Sequence, residues 1–239
     1  MKLAVVIPAF NEEQLLPGCI ASVRATLGEF ADVELELIVV DNNSTDQTAQ
    51  VAAREGARVV FESKNQIARA RNAGAAEAQA DWLLFLDADS RLNPGLAAEL
   101  RQAMAAGDRV ACGTAMYMPG APRWARAMLQ IWNLAGRTFH WAAGSFLACR
   151  RDAFLTVGGF NEDLFAAEEI DLSRRLKQWA RPRGLGFPVF RRHPLETSPR
   201  KLELYTGREI AAQFARLLFR PVRSLRNREA LAIWYDGRR

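Results

Sequence analysis

A chain of 239 residues with 49% hydrophobic and 25% charged side chains can bury a full core, which excludes a disordered chain and a minimal disulfide-stapled one. No uncharged apolar run approaches the about 18 residues of a membrane-spanning helix, and three widely spaced cysteines (Cys19, Cys112 and Cys149) fit neither a disulfide framework nor a zinc site and suit a reducing cytoplasm. The net charge of +5 is uneven: residues 181–239 carry 14 Arg/Lys against 5 Asp/Glu, and residues 1–180 carry 18 against 22.

The N-terminal stretch MKLAVVIPAFNEE has one Lys, a short apolar run, then proline and acids. That pattern reads as a strand over 3–9 rather than a secretory signal. Further apolar runs at 35–40 and 82–86, and a weaker one at 57–61, predict strands apolar on both faces, as in a parallel sheet covered by helices. Between them lie segments of helical period. Leu16, Ile20, Val23 and Leu27 share a face, and Gly28 can end that helix. Ser44 and Gln47 fit a capping box before QTAQVAARE. Asn93-Pro94 offers an N-cap and a first-turn proline to a helix carrying Leu96, Leu100 and Met104. The alternation predicts a doubly wound α/β sheet with right-handed crossovers.

Beyond residue 108 the pattern changes. VACGTAMYM reads as a strand, and 119–142, rich in Trp, Ala and Arg, reads as irregular. GSFLACRR reads as a strand, DAFLTVGG as a short helix, EEIDLSRRLKQWA as a helix and GLGFPVF as the last strand. The expected organisation is one domain over 1–195, with halves 1–107 and 108–195, and a basic helical extension over 196–239 packed on it. Within that extension, FARLLFRPVRSLRNR sets Phe214, Leu217, Leu218 and Phe219 among arginines. It reads either as a helix packed on the domain or as a segment lying on an anionic bilayer. The expected location is the cytoplasm, with the bilayer reading adding the inner face of the cell membrane. Zinc-finger spacing and RNP-like aromatic motifs are missing, so no nucleic-acid partner is expected.

In an open parallel sheet, ligands gather at the carboxyl ends of the strands. Here the first strand runs into Pro8-Ala9-Phe10-Asn11-Glu12, the second into Asp41-Asn42-Asn43-Ser44 and the fourth into Asp87-Ala88-Asp89. One polar ending is an ordinary cap. Three on neighbouring strands make a polar cleft. Asp41 is either an Asx-turn residue or a carboxylate that accepts a base N–H and selects uracil. Asp87 and Asp89, placed on one side by strand alternation, are either a cap or the seat of a divalent cation. Hard oxygens suit Mg²⁺ or Mn²⁺ bound together with a diphosphate, and the cation would offset the like-charge repulsion. Of Arg69 and Arg71, about 200° apart on a helix, one is expected to face solvent and the other to reach a phosphate or base. Glu168, Glu169 and Asp171 are either favourable first-turn acids or a carboxylate at the cleft edge able to act as general base. His193, beyond the last predicted strand, could return to the cleft as a further metal ligand. Trp124, Trp132 and Trp141 are core or an acceptor platform.

VVIPAFNEEQLLPGCIASV, ELIVVDNNSTDQTAQVA, ARARNAGAAEAQADWLLFLDADS and GGFNEDLFAAEEIDLSRRLK, in this order over roughly 3–180, resemble the family 2 glycosyltransferases of the GT-A fold. The resemblance implies a nucleotide-diphosphate-sugar donor, Mg²⁺ or Mn²⁺ and an inverting hexosyltransferase. It implies that Pro8, Phe10, Glu12 and Asp41 hold the nucleoside, with Asn43, Arg69, Arg71 and Asn72 in support. Asp87 and Ala88 would line the ribose or sugar, Asp89 would bind the metal, and Glu169 would be the base. Glu169 stands where the family pattern has Asp, which keeps Asp171 and Glu168 open as alternatives. The basic Q/R-x-x-R-W motif of processive synthases is missing, so single transfer to a sugar, lipid or peptide acceptor is expected. The competing readings are a nucleotidyltransferase, which would want a Gly-rich basic loop where PAFNEEQ stands, and a non-catalytic glycan- or nucleotide-binding module.

Overall fold

A computed structural model describes residues 1–200 and Leu225. The predicted helix near 203–219 and the apolar side chains of the basic tail that the sequence singled out lie outside these residues.

The first half alternates as the hydrophobic pattern requires: β1 (Lys2–Ala9), α1 (Leu16–Leu27), β2 (Glu34–Asp41), α2 (Thr48–Arg54), β3 (Arg58–Phe61), α3 (Ile67–Glu77) and β4 (Trp82–Leu86). β1 is parallel to β2 on one side and to β4 on the other, and β2 is parallel to β3. The centre of the sheet is apolar on both faces because helices cover both. One core cluster joins Leu3, Val5 and Ile7 to α1; the other joins Ala4 and Val6 to α3. Pro8 is tolerated inside β1 because it lies opposite Val40 of β2, beyond the stretch paired with β4, where its missing N–H breaks no ladder bond.

The second half completes the same sheet. After the two-residue β5 (Ser90–Arg91) come α4 (Pro94–Ala105), β6 (Ala111–Tyr117), α5 (Arg123–Phe139), β7 (Phe146–Arg150), α6 (Arg151–Thr156), α7 (Glu168–Ala180), a 3-10 turn at Arg181–Arg183, and β8 (Val189–Thr197). The eight strands run β3-β2-β1-β4-β7-β6-β8-β5. β7 is antiparallel to both β4 and β6, whereas β6 and β8 are parallel. β5 follows β4 closely in sequence yet pairs with β8 at the far edge, so the sheet must curl back on itself.

Four local readings change. Residues 119–142 are not irregular: they contain the 17-residue α5. The last strand begins at Val189 and runs on to Thr197, through residues placed beyond the last predicted strand and past the expected boundary at 195. No capping box forms before α2; Thr48 N–H donates to Asp46 Oδ1 instead, at 3.0 Å. Finally, β4 stops at Leu86 and residues 88–89 form a turn, so strand alternation does not govern Asp87 and Asp89. The Asn93 cap does form, with Oδ1 accepting the Leu96 N–H at 2.9 Å.

Candidate active site

The ends of β2, β1 and β4 lie side by side, because these strands are neighbours and parallel. Their polar endings therefore meet along one edge of the sheet. At the end of β2, Asp41 is buried and its Oδ1 accepts the Ser44 N–H at 3.0 Å, which is the Asx-turn the sequence suggested. Asn43 adopts a left-handed φ of 65° on the exposed rim of that turn. Its neighbour Asn42 ties β2 to the loop after β3, donating to the carbonyls of Glu62 and Lys64 and accepting from Gln66 N–H. At the end of β1, Phe10 is partly exposed while Glu12 is buried. The Glu12 carboxylate accepts from Arg200 at 2.7 and 2.8 Å, and its backbone N–H donates to Thr48 Oγ1.

The centre of the site is Arg71. It is 1% exposed, among the largest fully buried side chains of the fold. One terminal nitrogen donates to Glu168 Oε1 at 2.7 Å; the other donates to Asp87 Oδ1 at 3.0 Å and to the Gly144 carbonyl at 2.7 Å. The guanidinium also lies 5.2 Å from the centroid of the Phe160 ring. The sequence expected one arginine of this helix to reach a phosphate or base. Instead the buried one joins the end of β4 to the first turn of α7: the buried Glu168 carboxylate needs a cation with several donors to offset its desolvation, and the partly exposed Asp87 shares that cation. Removing one member of such a pair typically costs about 3–5 kcal/mol, because the other charge is left buried and alone.

Arg69 takes the outer face, paired with Glu162 and Glu62. Asn72 is locked to the chain near Phe160 by a reciprocal pair of 2.9 Å bonds: its Nδ2 donates to Phe160 O, and its Oδ1 accepts from Phe160 N. Both hold the loop that leads to α7.

Glu168 and Glu169 do lean inward, as their spacing from Leu172 predicts. Glu168 is 4% exposed, and burial raises its carboxyl above the ordinary glutamate value despite the opposing pull of Arg71. Glu169 is partly buried; a Cβ placed on Gly144 would sit 3.6 Å from its Cδ and 3.1 Å from Arg71 Nη2, so its carboxyl lies against the loop that Arg71 grips. Burial first, and then the negative charge of Glu168, push the Glu169 carboxyl up to about 8. Asp171 points elsewhere, held by Arg175 at 2.7 Å, and Arg175 also donates to the Val157 carbonyl.

The Asp87–Asp89 turn is fixed by its backbone. Asp87 N–H donates to Ser145 O at 3.3 Å, Ser90 N–H to Asp87 O at 3.0 Å and Ser198 N–H to Asp89 O at 3.1 Å. Ala88 between them is 3% exposed. His193 is not brought to this turn. Because β8 continues straight through it, its ring packs over Gly95 at the start of α4 and faces Glu99 at 3.5 Å. Among the described residues, no three His, Cys, Asp or Glu side chains form a metal-binding group, so the expected Asp87–Asp89–His193 set is not assembled. The cysteines are buried with thiols pushed up by burial, which leaves them protonated and poor nucleophiles. Trp124 is exposed, and Trp141 stacks on Phe139 with centroids 4.7 Å apart.

Three contributors to the site were not singled out from sequence: Gly144, Ser145 and Arg200. Two act through backbone carbonyls, which any residue type supplies. Arg200 lies in an Arg-rich stretch where no spacing marks it out.

Comparison with known proteins agrees with this fold. The chain resembles TarS of Staphylococcus aureus at 18% identity over 98% of this chain and 78% of that structure, with a TM-score of 0.68. It also resembles glucosyl-3-phosphoglycerate synthase of Mycobacterium tuberculosis, solved with Mn²⁺, UDP-glucose and phosphoglyceric acid, at 19% identity over 91% of this chain and 77% of that one, with a TM-score of 0.61. At these identities the likeness speaks to the GT-A fold. An uncharacterised glycosyltransferase of Mycobacterium tuberculosis (strain H37Rv) is 40% identical over 93 residues, and the match spans 39% of each chain. The family model described as "Glycosyl transferase family 2" matches residues 4–159, well over half of the sequence. The chain belongs to glycosyl transferase family 2.

Proposed function

We propose that this chain transfers a single hexosyl unit from a UDP-sugar to an acceptor hydroxyl on a sugar, lipid or peptide, with inversion at the anomeric carbon. The observation that carries the reading is the pair of bonds from one buried guanidinium, Arg71, to Asp87 at the end of β4 and to Glu168 at the start of α7. It sets a donor-side carboxylate and an acidic helix start across a single group. The family match and the nucleotide sugars named with the solved neighbours, UDP-GlcNAc in one and UDP-glucose in another, support a nucleotide-diphosphate donor.

In this reading Phe10, Glu12 and Asp41 hold the nucleoside, with Asn43 on the rim and Pro8 and Ala88 shaping the floor. Arg69 and Asn72 act indirectly, by fixing the loop before α7. Asp87 and Asp89 offer hard carboxylate oxygens, the donor type that Mg²⁺ and Mn²⁺ take together with phosphates and water. Asp89 would hold such an ion, with Asp87 the lesser ligand because Arg71 already occupies one of its oxygens. When bound, the ion stabilises the charge developing on the diphosphate. Glu169 takes the acceptor hydroxyl proton as that oxygen bonds to the anomeric carbon. The bond from that carbon to the diphosphate oxygen breaks, and its electron pair leaves with UDP. Arg71 holds Asp87 and Glu168 in place.

Incubation with a panel of nucleotide sugars plus Mn²⁺, with and without chelator, tests this. Metal-dependent donor hydrolysis or a thermal shift specific to one donor is expected. Binding of free glycan with no response to any nucleotide sugar would overturn it in favour of a binding module.

A further inference from the structure

Nine large hydrophobic side chains are exposed among the described residues, and five of them (Trp124, Met128, Ile131, Leu134 and Phe139) belong to α5. The helix is fastened to the fold by its opposite face. Ala125, Leu129 and Gly136 are buried there, and the Asn133 amide makes two 2.9 Å bonds to the backbone of Met116 in β6. At 3.6 residues per turn, Trp124, Met128, Ile131 and Leu134 fall on one outward stripe. Arg126 and Arg137 recur three turns apart, between that stripe and the buried face, and both are exposed. The sequence around them is lopsided in charge: from 109 to 151 it holds six arginines and no Asp or Glu.

We propose that the outer face of α5 is a docking surface for an anionic lipid bilayer. A protein partner would need a complementary groove. A bilayer needs an apolar stripe that can enter the acyl boundary and arginines beside it to meet lipid phosphates, and both are present; α5 and the chain on either side of it carry no carboxylate, the nearest exposed one on the neighbouring strand being Glu196, paired with Tyr117. Exposed Trp and Phe suit the interface, where a ring can be part wet and part buried. The helix is held parallel to the surface by its packing on β6, and among the described residues none is long and apolar enough to cross a membrane. The proposal stands independently of the transferase reading, since vesicle binding requires no donor or acceptor.

The test is co-sedimentation of the full chain with phosphatidylcholine vesicles, with and without phosphatidylglycerol. Binding to the anionic vesicles that weakens as salt rises is expected. Ile131→Glu with Leu134→Glu should cut that binding about a hundredfold, as two inserted apolar side chains are lost, while thermal melting is unchanged because both positions are exposed. Should that variant fold poorly, a single-site probe serves instead. With the native cysteines buried, a polarity-sensitive dye on Ile131→Cys should shift to the blue on anionic vesicles, and the same dye on Gln130→Cys should not. Unaltered vesicle binding by the double variant would overturn the proposal. So would loss of binding only when Leu217 and Leu218 are changed to Glu, or a parent dimer that Ile131→Glu with Leu134→Glu splits without any vesicle binding by the parent.

Discussion

Among single residues, the two glutamates at the start of α7 are governed first by burial, which the charge of Arg71 offsets only in part. Buried carboxylates normally pick up protons, and Glu168 and Glu169 are both raised in this direction. A general base works best with a pKa near the operating pH, so a Glu169 carboxyl pushed up to about 8 suits the role. The base must be ionised, so kcat/KM should climb with pH and level off above about 8. Glu169→Gln should leave donor binding intact, lower kcat by about 10²–10⁴-fold and flatten that climb. A pH–rate profile beside donor titration checks both, and full turnover in the variant would move the base to Glu168 or Asp171. Asp89→Ala should abolish the metal-dependent rate, a loss of about a hundredfold or more given the several kcal/mol a Lewis acid supplies. Rates with and without Mn²⁺ read this out, and an undiminished metal response would remove Asp89 from the metal site.

For whole elements, legibility followed chemistry. β1, β2 and β4 were plain because a strand covered on both faces must be a continuous apolar run, and little else in a globular chain looks like one; β3, exposed at the sheet edge, left only a weak one. α5 was overlooked although its period is written in the sequence: Arg123, Arg126, Gln130, Asn133 and Arg137 recur at helical spacing as one polar stripe along an otherwise apolar segment. β8 was cut short at 190 because Arg191, Arg192 and His193 look like a loop, although a strand near the sheet edge tolerates charge on its outward side. Arg71 could have been found. It lies three residues after Ala68 and three and four before Gly74 and Ala75, on a stripe of small buried residues where a long cation has room. The link between Asn72 and Phe160 joins distant segments, and no spacing could announce it. It rests on Gly159, whose φ is +67° and where a Cβ would come 2.8 Å from Asn72 Oδ1. Gly159→Ala should therefore destabilise the fold by about 1–2 kcal/mol, measurable by denaturant titration. An unchanged midpoint would mean that the loop before α7 can shift without cost.

For the molecule as a whole, the raised Glu169 links stability to pH. Below the ordinary glutamate value of 4.5 the folded and unfolded chains are both protonated at this side chain. Between 4.5 and about 8 the folded chain keeps a proton that the unfolded chain has released, so this group's stabilising contribution declines as pH rises through that window. Above about 8 no further decline comes from it. Comparing melting temperatures of the parent and Glu169→Gln across the window isolates the effect, which the variant should lack. A parallel decline in both proteins would assign it to other groups.

The path by which the described chain leaves the sheet has a consequence of its own. Ser198 N–H is bonded to Asp89 O, and Arg200 holds Glu12, so the exit from β8 is latched to two of the three polar strand endings. Occupancy of the nucleotide edge and the grip on the exit then form a reciprocal pair. A ligand that draws Glu12 away from Arg200 loosens the exit, and anything that tightens the exit changes the ligand's affinity by the same factor. Amide exchange at Ser198 with and without UDP is the direct gauge, and identical protection in both would show the latch to be passive. If exchange differs, what takes hold of the chain beyond residue 200 acts as a dial on the donor site.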